Sequence, residues 1–252
     1  MTTVQMLTLA STSKAQVNGI DLYYQIHGAG PPLILLHGGL ANADYWSNQI
    51  PVFAEKYKTI AIDSRGHGRS TFTEQPISYT LMAADVIALM DTLGIERADV
   101  VGWSDGGIIG LDIAIHHPER LNKLIAYGAN YNPSGLRADV NENAKFTNYI
   151  AKAAADYQQV APDPLRWDAF LENIGKMWAT EPNYTPAQLA TIATPTLILD
   201  GEEEECIDIN HTKEMAGLIP TATLILMAGV GHFAPWEQPQ AFNAMVLDFL
   251  AE

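Results

Sequence analysis

Val100-Val101-Gly102-Trp103-Ser104-Asp105-Gly106-Gly107 carries the clearest chemistry in this 252-residue chain. A serine stands in the pattern G-x-S-x-G, directly after an apolar run and directly before a stretch of helical period. A sharp strand-to-helix turn forces such a serine into an unusual backbone conformation, and small residues at Gly102 and Gly106 keep the chain from clashing with itself. The turn lifts the hydroxyl clear of the strand and sets it at a helix N-terminus, where free N–H groups favour negative charge. A serine hydroxyl is a weak nucleophile without a base beside it. The candidate base is His232, in Gly229-Val230-Gly231-His232-Phe233-Ala234-Pro235-Trp236, between the last apolar run and the last helical stretch. From such a loop an imidazole can reach back to the serine. His27, His67, His116, His117 and His211 have no such access, and His116 and His117 end a helix, where a cation suits the dipole.

A base of this kind needs an acid to fix its tautomer and stabilise the imidazolium. Asp200-Gly201-Glu202-Glu203-Glu204-Glu205 follows the apolar run Thr196–Leu199 and offers five carboxylates. One of them is expected to serve, and three of the four glutamates to form a solvated acidic loop. Leu33-Ile34-Leu35-Leu36-His37-Gly38-Gly39 is an apolar strand ending in glycines. The loop after such a strand supplies one backbone N–H to a developing oxyanion, and the residue after the nucleophile supplies the other. Those donors are Gly39 and Asp105, through their main chain. His37 is expected to hold the loop by hydrogen bonds. The chemistry is acyl transfer in two steps, through an acyl-serine.

These residues must be positioned by strands and helices. Leu33–Leu36, Thr59–Ile62, Val100–Trp103, Lys123–Tyr127, Thr196–Leu199 and Thr223–Met227 read as buried strands. Leu81–Leu93, Ile108–His116, Thr212–Leu218 and Gln240–Leu250 read as helices. Such alternation predicts a mostly parallel sheet covered on both faces. Asn18-Gly19 marks the turn of an opening hairpin around Val17–His27. From Asn132 to Ala190 no strand is evident. Helical patterns, prolines and the aromatics Tyr149, Tyr157, Trp167, Phe170, Trp178 and Tyr184 predict a helical cap over residues 132–190, inserted into a core of residues 1–131 and 191–252. Those aromatics are expected to be core.

Composition narrows the classes. Hydrophobic residues make up 48% of the chain, enough for one globular domain. The formal net charge is −15, which makes nucleic acid and anionic membranes poor partners. That charge serves solubility, or a field that attracts cationic substrates. No run of eighteen apolar residues predicts a membrane span. Met1–Gln16 has no basic leader, which predicts no secretory signal. The single cysteine, Cys206, allows no intrachain disulfide, which fits a reducing, cytoplasmic setting. It follows four glutamates, which raise a thiol pKa, and is expected to be structural. No metal-ligand spacing is present and no cofactor is implied.

Together these segments resemble the α/β-hydrolase family over nearly the whole chain apart from the cap. His37-Gly38-Gly39, Asp63-Ser64-Arg65-Gly66-His67-Gly68-Arg69-Ser70, the Ser104 turn and Gly231-His232 stand where the family has them. The resemblance implies an eight-stranded, mostly parallel sheet flanked by helices, and a Ser-His-acid triad. Asp63–Ser70 is implied to be an architectural turn held by Arg and Asp. The family's Gly-x-x-Asp, aligned on Gly201, puts Glu204 at the acid position, where a glutamate departs from the usual aspartate. Gly128-Ala129-Asn130 leaves the alternative acid position empty. Gly102–Gly107 and Gly128–Asn130 are also similar to the valacyclovir hydrolase (biphenyl hydrolase-like) branch. There the aspartate beside the nucleophile binds the α-amino group of amino-acid esters, a role that would fall on Asp105. The expected substrate is a small carboxylic ester or lactone, with an α-amino-acid ester as the alternative. The rival from another class is a small-ligand receptor on the same scaffold.

Overall fold

The computed structural model describes residues 9–252. The residues before these, on which the expectation about a leader partly rests, lie outside the described residues. Eight strands form one sheet: β1 (Leu9–Val17), β2 (Ile20–His27), β3 (Pro32–Leu36), β4 (Lys58–Ile62), β5 (Ala98–Trp103), β6 (Leu121–Tyr127), β7 (Thr196–Gly201) and β8 (Ala222–Met227). Their order is β1-β2-β4-β3-β5-β6-β7-β8. β1 and β2 are antiparallel to their neighbours, and β3 to β8 run parallel. The opening hairpin turns at Asn18 (φ 45) and Gly19 (φ 79), two left-handed residues as a two-residue turn requires.

Side chains alternate across the parallel strands and build two cores. Ile34, Leu36, Val100, Leu124 and Ile198 face α2 (Tyr79–Thr92) and α3 (Asp105–His116). Leu33, Leu35, Val101, Ile125 and Leu197 face the other way, with Phe242 and Val246. The last two lie on α9 (Pro239–Ala251), which packs beside the short helices α1 (Ile50–Phe53) and α8 (Ala234–Glu237). The helices α2 and α7 (Ile209–Leu218) begin a few residues earlier than apolar periodicity predicts, because polar caps set their starts. Ser78 accepts a hydrogen bond from Leu81 N–H ahead of α2, and Asp208 accepts one from Asn210 N–H ahead of α7.

Between β6 and β7 the chain leaves the sheet and forms α4 (Ala144–Val160), α5 (Trp167–Thr180) and α6 (Pro186–Leu189). Tyr149, Ala153 and Tyr157 make the buried stripe of α4, and Phe170, Ile174 and Met177 that of α5. No helix among the described residues is long and apolar enough to cross a membrane.

Candidate active site

Backbone sterics place Ser104. β5 ends at Trp103 and α3 begins at Asp105, so the whole reversal falls on one residue, with φ 54 and ψ −120. A non-glycine residue held there costs on the order of 1–3 kcal/mol and persists only where its surroundings impose it. A Cβ at Gly102 would collide with the Gly106 carbonyl, and one at Gly106 with the Leu36 carbonyl. Both glycines are therefore required for α3 to dock this close to β3 and β5. Ser104 N–H donates to the Tyr127 carbonyl at 2.7 Å.

His232 is held by its backbone at both ends. Its N–H donates to Glu205 Oε2 at 2.7 Å, and its carbonyl accepts from Trp103 Nε1 at 2.8 Å. The Tyr127 hydroxyl donates to the neighbouring Gly231 carbonyl. The ring is fixed by Glu204: His232 Nδ1 lies 2.9 Å from Oε1 and 3.0 Å from Oε2. With Nδ1 turned to a carboxylate, Nε2 is the nitrogen left for the cavity. Gly128, at φ 60, leaves room for the ring, because a Cβ there would stand 2.9 Å from His232 Cε1. Burial lowers the His232 pKa below its ordinary 6.5, so the imidazole is neutral at pH 7.

Glu204 also accepts from the backbone N–H groups of Cys206 (2.6 Å) and Ile207 (3.1 Å) through Oε1. Burial pushes its carboxyl up to about 7, against the pull of hydrogen bonds from Asp200 and these N–H groups. Asp200 is fully buried, with Oδ2 accepting from Thr212 Oγ1 at 2.6 Å and Oδ1 from Gly201 N–H at 2.9 Å. Burial and the Glu204 charge hold Asp200 well above the usual carboxylate range.

The acidic run thus divides differently from the expectation of three solvated glutamates. Glu202 and Glu203 are exposed, but Glu205 is buried together with Glu204. His232 N–H and an ion pair with Lys145 of α4 hold it there, and Lys145 also reaches Glu237 at 2.9 Å. Cys206 is buried in the same loop, and desolvation beside these carboxylates pushes its thiol far up.

At the other side of Ser104, His37 Nε2 accepts from Ser64 N–H at 3.0 Å and its Nδ1 lies 2.7 Å from the Gly38 carbonyl, which braces the glycine loop. Among the described residues, the N–H groups of Gly39 and Asp105 donate to no other group. The space a Gly39 side chain would fill holds Trp178 and the Asp105 carboxylate. That carboxylate accepts from the Tyr79 hydroxyl at 2.9 Å and from Trp178 Nε1 at 3.0 Å. Burial raises it to about 6. The Tyr149 hydroxyl donates to the Gly39 carbonyl. Trp178, expected to be core, lines the site instead; Tyr149 is core as expected, though its hydroxyl reaches the Gly39 loop, and the sequence holds no signal that would have singled out either contact. Trp103 and Gly128 were also missed, though their adjacency to Ser104 and to the end of β6 was a usable clue.

Ser104, Asp105 and His232 line one cavity of about 290 Å³ together with Leu136, Phe146 and Trp178. The arrangement can bring a hydroxyl, a neutral imidazole and free N–H donors to one small, mostly apolar substrate. The model of the alpha/beta hydrolase fold matches residues 31–161, about half the chain. The chain belongs to that family. As an α/β hydrolase it has relatives with several named activities. It is 30% identical to a protein of Caulobacter sp. (strain K31) named as a carbamate hydrolase, RutD, over 91% of this chain and 96% of that one. It is also 30% identical to the 2-hydroxy-6-oxo-6-phenylhexa-2,4-dienoate hydrolase of Comamonas testosteroni, over 98% and 99%. The solved structure of Est816, described as an N-acyl homoserine lactone degrading enzyme, superimposes with a TM-score of 0.75 at 28% identity, covering 94% of this chain and 99% of that one. The chain is a hydrolase by family.

Proposed function

We propose that this protein hydrolyses carboxylic esters or lactones through an acyl-enzyme on Ser104. His232 takes the serine proton as Ser104 attacks the carbonyl. Glu204 holds the imidazole by Nδ1 and stabilises the imidazolium that forms. The Gly39 and Asp105 N–H groups receive the oxyanion, at the N-terminus of α3. His232 then protonates the leaving alcohol and activates the water that releases the acyl group. The observation that carries this reading is the Nδ1 contact to Glu204 behind a neutral imidazole that shares a cavity with a strained Ser104.

Esters and lactones are put first because they demand least of these groups. The relative described as lactone-degrading supports that choice, while other similar chains carry the names of a carbamate hydrolase and a dienoate hydrolase. An α-amino-acid ester remains the narrower alternative, with the Asp105 carboxylate pairing the ammonium in the acceptor capacity that Tyr79 and Trp178 leave.

Labelling with a fluorophosphonate, followed by peptide mapping, tests the reading. Wild type is expected to be modified at Ser104, and Ser104→Ala and His232→Ala to resist. A folded wild type that resists labelling would instead favour a ligand receptor without turnover.

A further inference from the structure

The charged groups of the cavity wall all carry one sign. Asp105 and Glu181 line it, and no lysine or arginine does among the described residues. Tyr79 joins the two acids: its hydroxyl donates to Asp105 Oδ1 at 2.9 Å and its backbone N–H to Glu181 Oε2 at 3.1 Å. The carboxylates therefore stand at the two ends of one buried tyrosine, one beside Ser104 and one farther along the wall. The cations near the site are tied to carboxylates of their own. Lys145 is held by Glu205 and Glu237, Arg137 makes two bonds to Asp139 at 2.9 and 3.0 Å, and Lys176 pairs with Glu172 at 2.6 Å. Asp105 is engaged only by neutral donors, Tyr79 and Trp178, which stabilise its ionised form without cancelling its charge.

We infer that this site takes acyl groups that carry no negative charge, and that Asp105 and Glu181 together set that selectivity. The inference rests on the hydrolase reading above and narrows its substrate class. An acyl chain ending in a carboxylate would leave water for a small cavity with a fixed negative group toward either end. At a separation of ~8 Å and an effective dielectric of about 20, each such repulsion is worth a factor of roughly 30. The separation is within a Debye length, so salt screens it only in part.

Matched esters read this directly. p-Nitrophenyl butyrate and mono-p-nitrophenyl succinate are compared by kcat/KM at pH 8. The butyrate is expected to win by about 30-fold or more, and Glu181→Gln to narrow the ratio at least about threefold, since it removes a charge and keeps an acceptor for Tyr79 N–H. Ratios within about threefold in wild type, or a ratio unmoved by Glu181→Gln, overturn the inference. Phenyl butyrate and monophenyl succinate are also titrated into Ser104→Ala by calorimetry, which reads the preference without turnover. Equal or tighter binding of the succinate overturns the inference while leaving the hydrolase intact. Loss of phosphonate labelling in wild type overturns the hydrolase reading alone, and the calorimetry then decides the charge preference.

Discussion

The turn at Ser104 and the loop at Glu202–Cys206 both follow a parallel strand of the sheet, yet they are built differently. Hard-sphere contacts at Gly102 and Gly106 shape the first, and its partners lie on β3, β5, β6 and α3. The second has four consecutive glutamates that local sterics do not distinguish. They are sorted by what approaches from elsewhere: the His232 ring meets Glu204, and the His232 N–H and Lys145 meet Glu205, while Glu202 and Glu203 stay exposed. A turn enforced by its own backbone is intolerant of added volume. A loop enforced by partners is intolerant of lost partners.

The largest test of that contrast is Glu204→Gln. It keeps shape but removes the charge behind His232, and it is expected to lower kcat about 10³- to 10⁴-fold in an ester assay with little loss of fold. Gly106→Ala attacks the other turn through volume alone. It is expected to cost about 3 kcal/mol, read as a drop in Tm of roughly 10 °C. Asp200 sharpens the picture. Asp200 is buried and bonded to Thr212 and Gly201, so Asp200→Asn is expected to be tolerated within about threefold, whereas Asp200→Ala, which strands those partners, loses about tenfold in kcat. The acid limb of kcat/KM adds a sign. As the proposed base, His232 acts only when neutral, and burial lowers its pKa, so activity should persist below pH 6.5 and fail only as the folded-state pKa is crossed. Were Asp200 ionised, Asp200→Asn would remove an anion near His232 and move that limb to lower pH; a protonated Asp200 predicts no movement. At the small end, Glu202→Gln should change kcat less than about twofold, because the side chain is exposed.

The same contrast explains what the sequence made legible. The six parallel strands, the hairpin at Asn18-Gly19 and the Ser104 turn announce themselves, because apolar periodicity and glycine spacing are local properties. His232 was found by its place after β8. Glu204 required a family spacing from Gly201, and the burial of Glu205 was misread, since its partners lie 27 residues away at His232 and on α4. Trp178 and Tyr149 were out of reach for a related reason. An amphipathic helix declares which stripe it buries, but not which member of that stripe ends in a polar atom aimed at a distant loop.

The Tyr149 hydroxyl on the Gly39 carbonyl has a consequence for timing. α4 carries Tyr149 and, through Lys145, an ion pair to the glutamate that holds His232 N–H. Any swing of α4 wide enough to admit a bulky substrate loosens the loops on both sides of Ser104 in the same motion. Admission and readiness are then mutually exclusive states, so each turnover on such a substrate must include a re-docking step, and viscosity should slow large esters more than small ones.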